Sequence, residues 1–206
     1  MIEEKKGTTT VGIVVKEGVV FAADKRATMG YFIANKDVDK ILEIDDKMAM
    51  TTAGSVGDAQ TLARYMKAEV ALFKNRNEKD LTINGAATLL ANILQQYKFF
   101  PFYVQILIGG VNPDGKGDLY NLDPIGGMTK EKYTSTGSGS PMAFGVLESK
   151  YKENIDLNSA LKLAAESIAI AMKRDAGTGE GVDLLLITKD GIKRYAKEEV
   201  NKMLES

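Results

Sequence analysis

Apolar positions in this chain switch between two spacings, and the switches divide it into strands and helices. Residues 9–16 (TTVGIVVK) and 19–24 (VVFAAD) alternate and are rich in Val and Ile. β-Branched residues at every second position suit a half-buried strand. Glu17-Gly18 between the two runs predicts a hairpin turn that pairs Lys16 with Val19. That register sets Ala27 opposite Thr8 and groups Asp24, Arg26 and Thr28 beside it. Residues 31–35, 41–44 and 48–53 are further strand candidates, the last broken by Gly54-Ser55-Val56-Gly57-Asp58. From 59 to 74 the spacing of Leu62, Met66, Val70 and Phe73 is helical.

A second helix is predicted from Thr82, an N-cap, to Phe99, with Pro101 marking its stop. Its apolar residues cover more than one stripe, so both sides are expected to be covered. Strands at 104–111 and 117–122 flank the turn Asn112-Pro113-Asp114-Gly115, and 133–137 is the next strand. Ser140-Pro141 reads as N-cap and first residue of a helix to about 150. Asp156 caps a helix over 157–174, residues 182–188 and 192–196 form a hairpin, and a short amphipathic helix covers 198–204. Helices in pairs between groups of strands argue against a doubly wound parallel sheet. The order predicts an α+β fold, a four-layer αββα sandwich of two antiparallel sheets between helical layers.

Composition narrows the chemistry. The 206 residues include no His and no Cys, which removes imidazole acid–base catalysis, Cys nucleophiles and His- or Cys-ligated metals. No cofactor is expected. With 27 basic and 28 acidic residues there is no basic field for nucleic acid, and no apolar run is long enough to span a bilayer. No nucleic-acid or membrane partner is therefore expected, and the absence of Cys suits a cytoplasmic protein. Residues 1–7 are short and charged and do not read as a signal peptide.

A hydrolase with these residues needs a hydroxyl nucleophile activated by something other than imidazole. An N-terminal Thr meets that need, because its own α-amine, with a pKa of about 7.7–8.0, can take the hydroxyl proton. Thr8 in Gly7-Thr8-Thr9-Thr10-Val11-Gly12 is the candidate, and a cut after Gly7 is required to expose it. Glycine before the cut allows a tight turn and close approach to its carbonyl. Gly54, between a strand and a helix start, lies where backbone N–H groups can hold an oxyanion. Taken alone, Thr-Thr-Thr reads rather as a strand start, Asp24-Lys25-Arg26 as a solvated charge cluster and Gly54 as an ordinary turn glycine.

Taken together and in order, these pieces resemble the proteasome β subunits, most closely the archaeal type, from Thr8 to about Thr188. The resemblance rests on Thr-Thr-Thr-Val-Gly after Gly7, Asp24-Lys25-Arg26-Ala27-Thr28 and Lys40. Thr-Ala-Gly-Ser-Val-Gly-Asp at 52–58, Gly-Ser-Gly-Ser-Pro at 137–141 and Arg174-Asp175 complete it. It implies the fold of N-terminal-nucleophile hydrolases, with residues 1–7 an autocleaved propeptide and 8–206 a single catalytic domain. It further implies Thr8 as nucleophile, Lys40 as the cation beside it and Asp24 as the partner of that lysine. Gly54 matches the oxyanion donor, and Ser138 and Asp175 match the hydroxyl and carboxylate near the α-amine. Thr178 retains a hydroxyl where the family commonly has a second Ser. Substrate is expected to bind as an extended strand near Thr28 and Gly54, with a mostly apolar first pocket lined by Ala27, Val38, Thr52 and Val56.

The implied activity is threonine-type endopeptidase, degrading unfolded proteins to short peptides with a preference for hydrophobic residues before the cut. The implied partners are further copies of the chain in a ring, seven by the resemblance, together with α-subunit rings and an ATP-dependent unfoldase regulator. A bacterial-type two-ring threonine protease and a non-catalytic scaffold subunit are the alternatives. The Gly-Ser-Gly-Ser-Pro segment and Asp24 weigh against the first, and the retained Gly-Thr junction and Lys40 against the second.

Overall fold

A computed structural model describes residues 7–205; residues 1–6 of the expected propeptide, and Ser206, lie outside the described residues. The chain runs β1 (Thr9–Val15), β2 (Gly18–Asp24), β3 (Ala27–Met29), β4 (Phe32–Asn35), β5 (Ile41–Asp45) and β6 (Met48–Gly54). Helices α1 (Val56–Asn77) and α2 (Ile83–Gln96) follow, then β7 (Val104–Val111), β8 (Gly117–Leu122), β9 (Met128–Lys130) and β10 (Tyr133–Gly137). Helices α3 (Ser140–Lys150) and α4 (Leu157–Met172), strands β11 (Val182–Thr188) and β12 (Gly191–Arg194), and α5 (Lys197–Glu205) complete it.

Two antiparallel sheets carry the fold, in the orders β10-β1-β2-β11-β12 and β5-β6-β7-β8-β9, with β3 and β4 as a separate ribbon. Alternation along β1 explains the stacking. Val11, Ile13 and Val15 point to one side, where they pack with Ala143 and Leu147 of α3, Leu161, Ala164 and Ile168 of α4 and Val200 of α5. On the other side of the same sheet, Phe21, Val19 and Leu185 meet Ala49, Leu107 and Leu119 of the second sheet. The outer face of that sheet (Met48, Met50, Ile106, Ile108, Leu122) packs on Leu62 and Met66 of α1 and on Leu90 and Leu94 of α2. Each fully buried aliphatic side chain contributes roughly 1.5–3 kcal/mol. The layers are therefore helix, sheet, sheet, helix, as the order of elements predicts. Among the described residues no helix is long and apolar enough to cross a membrane.

Several local expectations need correction. The first hairpin turns at Lys16-Glu17, and its ladder runs from Val15 opposite Gly18 to Thr10 opposite Ala23. The predicted register, Lys16 with Val19 and Ala27 opposite Thr8, is off by two residues. A two-residue slip preserves which face each side chain takes, so the core pattern survives it. Gly18 is inside β2 because a Cβ there would meet the Ile187 carbonyl oxygen at 1.8 Å; the glycine serves the close pairing with β11, not the turn. Helix α1 starts three residues earlier than the apolar spacing predicts, because the Ser55 side chain accepts from Asp58 N–H and caps it. In α3 the N-cap is Gly139 with no side-chain hydrogen bond, so Ser140 is the first helical residue and not the cap.

Candidate active site

Thr8 immediately precedes β1, an interior strand held between β10 and β2. Its Oγ1 donates to the Gly7 carbonyl oxygen at 2.6 Å. Its backbone N–H donates to Ser138 Oγ at 3.1 Å. Thr8 is only 4% exposed, so both groups sit in a largely desolvated place.

Asp24 ends β2 and is fully buried. Its Oδ1 accepts Lys40 Nζ at 2.7 Å and Thr9 N–H at 2.9 Å. Its Oδ2 accepts Gly179 N–H at 2.9 Å and Arg26 N–H at 3.1 Å. One carboxylate thus ties the start of β1, the Lys40 ammonium and the loop after α4 to one point. Lys40, 4% exposed, is fixed from behind by its carbonyl, which accepts Thr52 N–H at 3.1 Å. Burial pulls the Lys40 ammonium below its ordinary 10.5, and the charge and hydrogen bond of Asp24 oppose that.

A second chain of polar groups runs behind Thr8. Ser138 Oγ donates to Asp175 Oδ2 at 2.6 Å, and Thr178 Oγ1 donates to the same oxygen at 2.5 Å. Thr178 Oγ1 also meets Thr9 Oγ1 at 2.7 Å. A hydroxyl has one proton, and that of Thr178 is on Asp175, so Thr9 must be the donor to Thr178. The polarity is then fixed from Thr9 to Asp175, and on the other branch Ser138, its own proton on Asp175, accepts from Thr8 N–H. Arg26 braces the same loop: its guanidinium donates to the Ala176 carbonyl at 2.9 Å and to Glu180 Oε1 at 3.0 Å.

Gly54 ends β6 with φ of +127°, and a Cβ there would meet the Tyr103 carbonyl oxygen at 2.2 Å, so the position admits glycine alone. It borders a cleft of about 1020 Å³ that also reaches Gly7, Thr28, Ser138 and Asp175. It borders as well a small pocket of about 20 Å³ lined by Thr8, Val38, Lys40, Thr52 and Val56. Of the residues expected in the first specificity pocket, Val38, Thr52 and Val56 meet there. Ala27 does not line that pocket; it opens β3 half-buried. Thr28 lines the larger cleft, and its Oγ1 accepts Gly7 N–H at 2.9 Å.

The structure thus links Thr8, Asp24, Lys40, Ser138, Asp175 and Thr178 by hydrogen bonds that run through Thr9, with Gly7 and Gly54 bordering the cavities beside them. Thr9 belongs with them, although the sequence reading did not single it out. A Thr inside a β-branched run is indistinguishable from a strand-forming residue until its partner 169 positions away is known. The Gly179 N–H that helps to hold Asp24 was missed for the same reason.

The family model for proteasome subunits matches residues 4–187. A protein of Archaeoglobus fulgidus called proteasome subunit beta is 53% identical over 207 residues, covering 99% of this chain and 97% of the relative. Proteins of the same name from Methanohalophilus mahii and Methanothermobacter thermautotrophicus are 52% and 48% identical, each covering 98% of this chain and 96% of the relative.

Proposed function

The chain belongs to the proteasome-subunit family, as a β-type member with that family's threonine-endopeptidase role, and we propose that Thr8 is its nucleophile. The observation that carries this reading is the position of Thr8. Its hydroxyl is 2.6 Å from the carbonyl oxygen of the residue before it, at the head of a strand that the Asp24–Lys40 pair ties down.

Residues 1–7 act as a propeptide and 8–206 as the catalytic unit. In the full chain the Thr8 nitrogen is an amide and cannot serve as a base. A water polarised by Lys40 and Ser138 takes the hydroxyl proton while Oγ1 attacks the Gly7 carbonyl carbon. The Gly54 N–H faces the developing oxyanion. The bond from Gly7 carbon to Thr8 nitrogen then breaks, the nitrogen receives the proton, and an ester joins Gly7 to Oγ1. Water hydrolyses that ester, releasing the Gly7 carboxylate and leaving Thr8 with a free amine and a free hydroxyl.

The freed amine is then the base for peptide substrates. Lys40 favours an alkoxide-like oxygen and disfavours protonation of the amine, and Asp24 keeps Lys40 in place. Ser138, Asp175 and Thr178 hold the amine by the chain of hydrogen bonds that already receives the Thr8 N–H. Val38, Thr52 and Val56 receive the residue before the cut, and Thr28 and Gly54 the substrate backbone. The lining favours apolar residues by about 1–3 kcal/mol.

Family membership carries assembly into rings with other subunits. The finer picture proposed here is a ring of identical copies stacked on α-type rings, fed with unfolded protein by an ATP-dependent regulator in the cytoplasm. The test is covalent capture by an electrophilic peptide followed by mapping of the modified residue. Modification at Thr8 in a chain shortened by residues 1–7 supports the reading. An intact, unmodified chain in a complete particle would mark a scaffold subunit.

A further inference from the structure

Two glycines from opposite ends of the chain meet at this site, and nothing in the chemistry described above uses the second. A Cβ added to Gly7 would stand 1.9 Å from Gly177 Cα, and all three of its nearest atoms belong to Gly177. A Cβ added to Gly177 would stand 2.2 Å from Gly7 Cα and 3.2 Å from both its carbonyl carbon and its nitrogen. The contact is backbone on backbone, so no side-chain rotation can relieve it. Gly177 is not among the residues with positive φ, so its conformation alone does not call for glycine.

Neither partner is free to retreat. The loop carrying Gly177 is fixed by Gly177 N–H on Asp175 Oδ1 at 3.3 Å and Thr178 N–H on the Asp175 carbonyl at 3.1 Å. The Arg26 guanidinium holds the Ala176 carbonyl of the same loop. Gly7 is fixed by its N–H on Thr28 Oγ1 and by its bond to Thr8.

We propose that Gly177 is a positioning residue for removal of the leader, required by the precursor and dispensable once Gly7 has left. The proposal rests on the reading of Thr8 as a nucleophile that exposes itself. The atoms that exclude a side chain at 177 are those of a residue that processing discards. While Gly7 is present, the bare Gly177 backbone is the wall against which the scissile carbonyl is set beside Thr8 Oγ1. A methyl group there displaces Gly7 by an ångström or more. Misplacement on that scale costs a reacting pair about 100-fold in rate.

The test compares leader loss with peptide turnover in the same variant. Full-length chains, unsubstituted and Gly177→Ala, are assembled with α-type subunits, and the first-order loss of residues 1–7 is followed by mass spectrometry. The same two chains are also prepared beginning at Thr8, by replacing residues 1–7 with a segment that an unrelated protease removes, and are assayed on a fluorogenic peptide. The expected result is leader loss slowed about 100-fold in Gly177→Ala, with the variant beginning at Thr8 turning over peptide like its unsubstituted counterpart. Leader loss at the unsubstituted rate overturns the proposal. So does an inactive Gly177→Ala chain beginning at Thr8, which would make the residue a general requirement of the site. Failure of the unsubstituted chain beginning at Thr8 to cleave peptide strikes instead at Thr8 as nucleophile, and takes the proposal with it.

Discussion

Lys40 and Asp24 form an ion pair of 2.7 Å from which water is almost wholly excluded, their side chains being 5% and 0% exposed. A pair so buried is weak evidence for stability, since desolvation cancels much of the attraction. Its value lies in holding one positive charge at one point. Lys40→Ala is therefore expected to lower kcat by at least about 100-fold, the scale found when a preorganised electrostatic group is removed. The Asp24 carboxylate keeps its backbone donors from Thr9, Arg26 and Gly179, so the fold should survive, at a cost near the lower end of the about 3–5 kcal/mol lost when one partner of a buried pair is removed. Lys40→Arg should not rescue activity, because a planar guanidinium cannot occupy the position of the ammonium. Peptidase rates and thermal melts on the three proteins decide this, and a fully active alanine variant would reduce Lys40 to a structural charge.

Burial of Lys40 is expected to set the alkaline limit of activity. Because it pulls Lys40 below 10.5, the native chain releases this proton before the unfolded chain does. Between the two values the unfolded state holds more protons, so this group's contribution to stability rises with pH there. The charge proposed to serve catalysis is lost over the same interval. The kcat/KM profile should fall on its alkaline side at a pH below 10.5 while thermal stability, as far as Lys40 governs it, does not fall with it. Asp24→Asn removes the attraction that opposes burial and should move the alkaline limb lower still. An alkaline limb that stays in place in that variant would exclude Lys40 as the titrating group.

Thr8→Ala should abolish both leader removal and peptide cleavage while leaving assembly intact. Thr8→Ser, which keeps hydroxyl and amine, should retain turnover. Mass spectrometry and a peptide assay read the two activities separately. Turnover by purified Thr8→Ala above that of a mock preparation would end the assignment.

The Thr52 hydroxyl is buried and has no hydrogen-bond partner among the described residues, yet it lines the small pocket beside Thr8. Thr52→Val removes an unsatisfied polar atom at nearly constant volume. It should raise stability by up to about 1 kcal/mol and sharpen the preference for apolar residues before the cut. Thermal denaturation and a series of peptides differing at that residue would register both effects. A loss of stability would mean that the hydroxyl is satisfied by a water in the pocket.

The helices were legible from their apolar spacing, and the buried strands as short apolar runs bounded by turn residues. Strands β7, β8, β10 and β11 fall where the sequence places them. Strand β9 was not legible, since its three residues are all exposed and carry no pattern. The hairpin register failed because Gly18, read as a turn residue, is glycine for the sake of a neighbouring strand. In the site, single residues were legible only as part of a resemblance, whereas Thr9 and Gly177 acquire meaning only from atoms far away in the chain. Contacts such as Thr9 with Thr178 leave no local trace in composition or spacing.

Strand β1 has a neighbour on both sides from its first residues, Thr9 facing Gly137 and Thr10 facing Ala23. A polypeptide's first residues usually fray, exchanging amide protons and sampling many orientations. Here, the proposed cut after Gly7 would create a terminus that is already stitched into the middle of a sheet. The amine and hydroxyl of Thr8 would then need no search for position, and the amides of Thr9–Ile13 should exchange as slowly as those of the sheet interior.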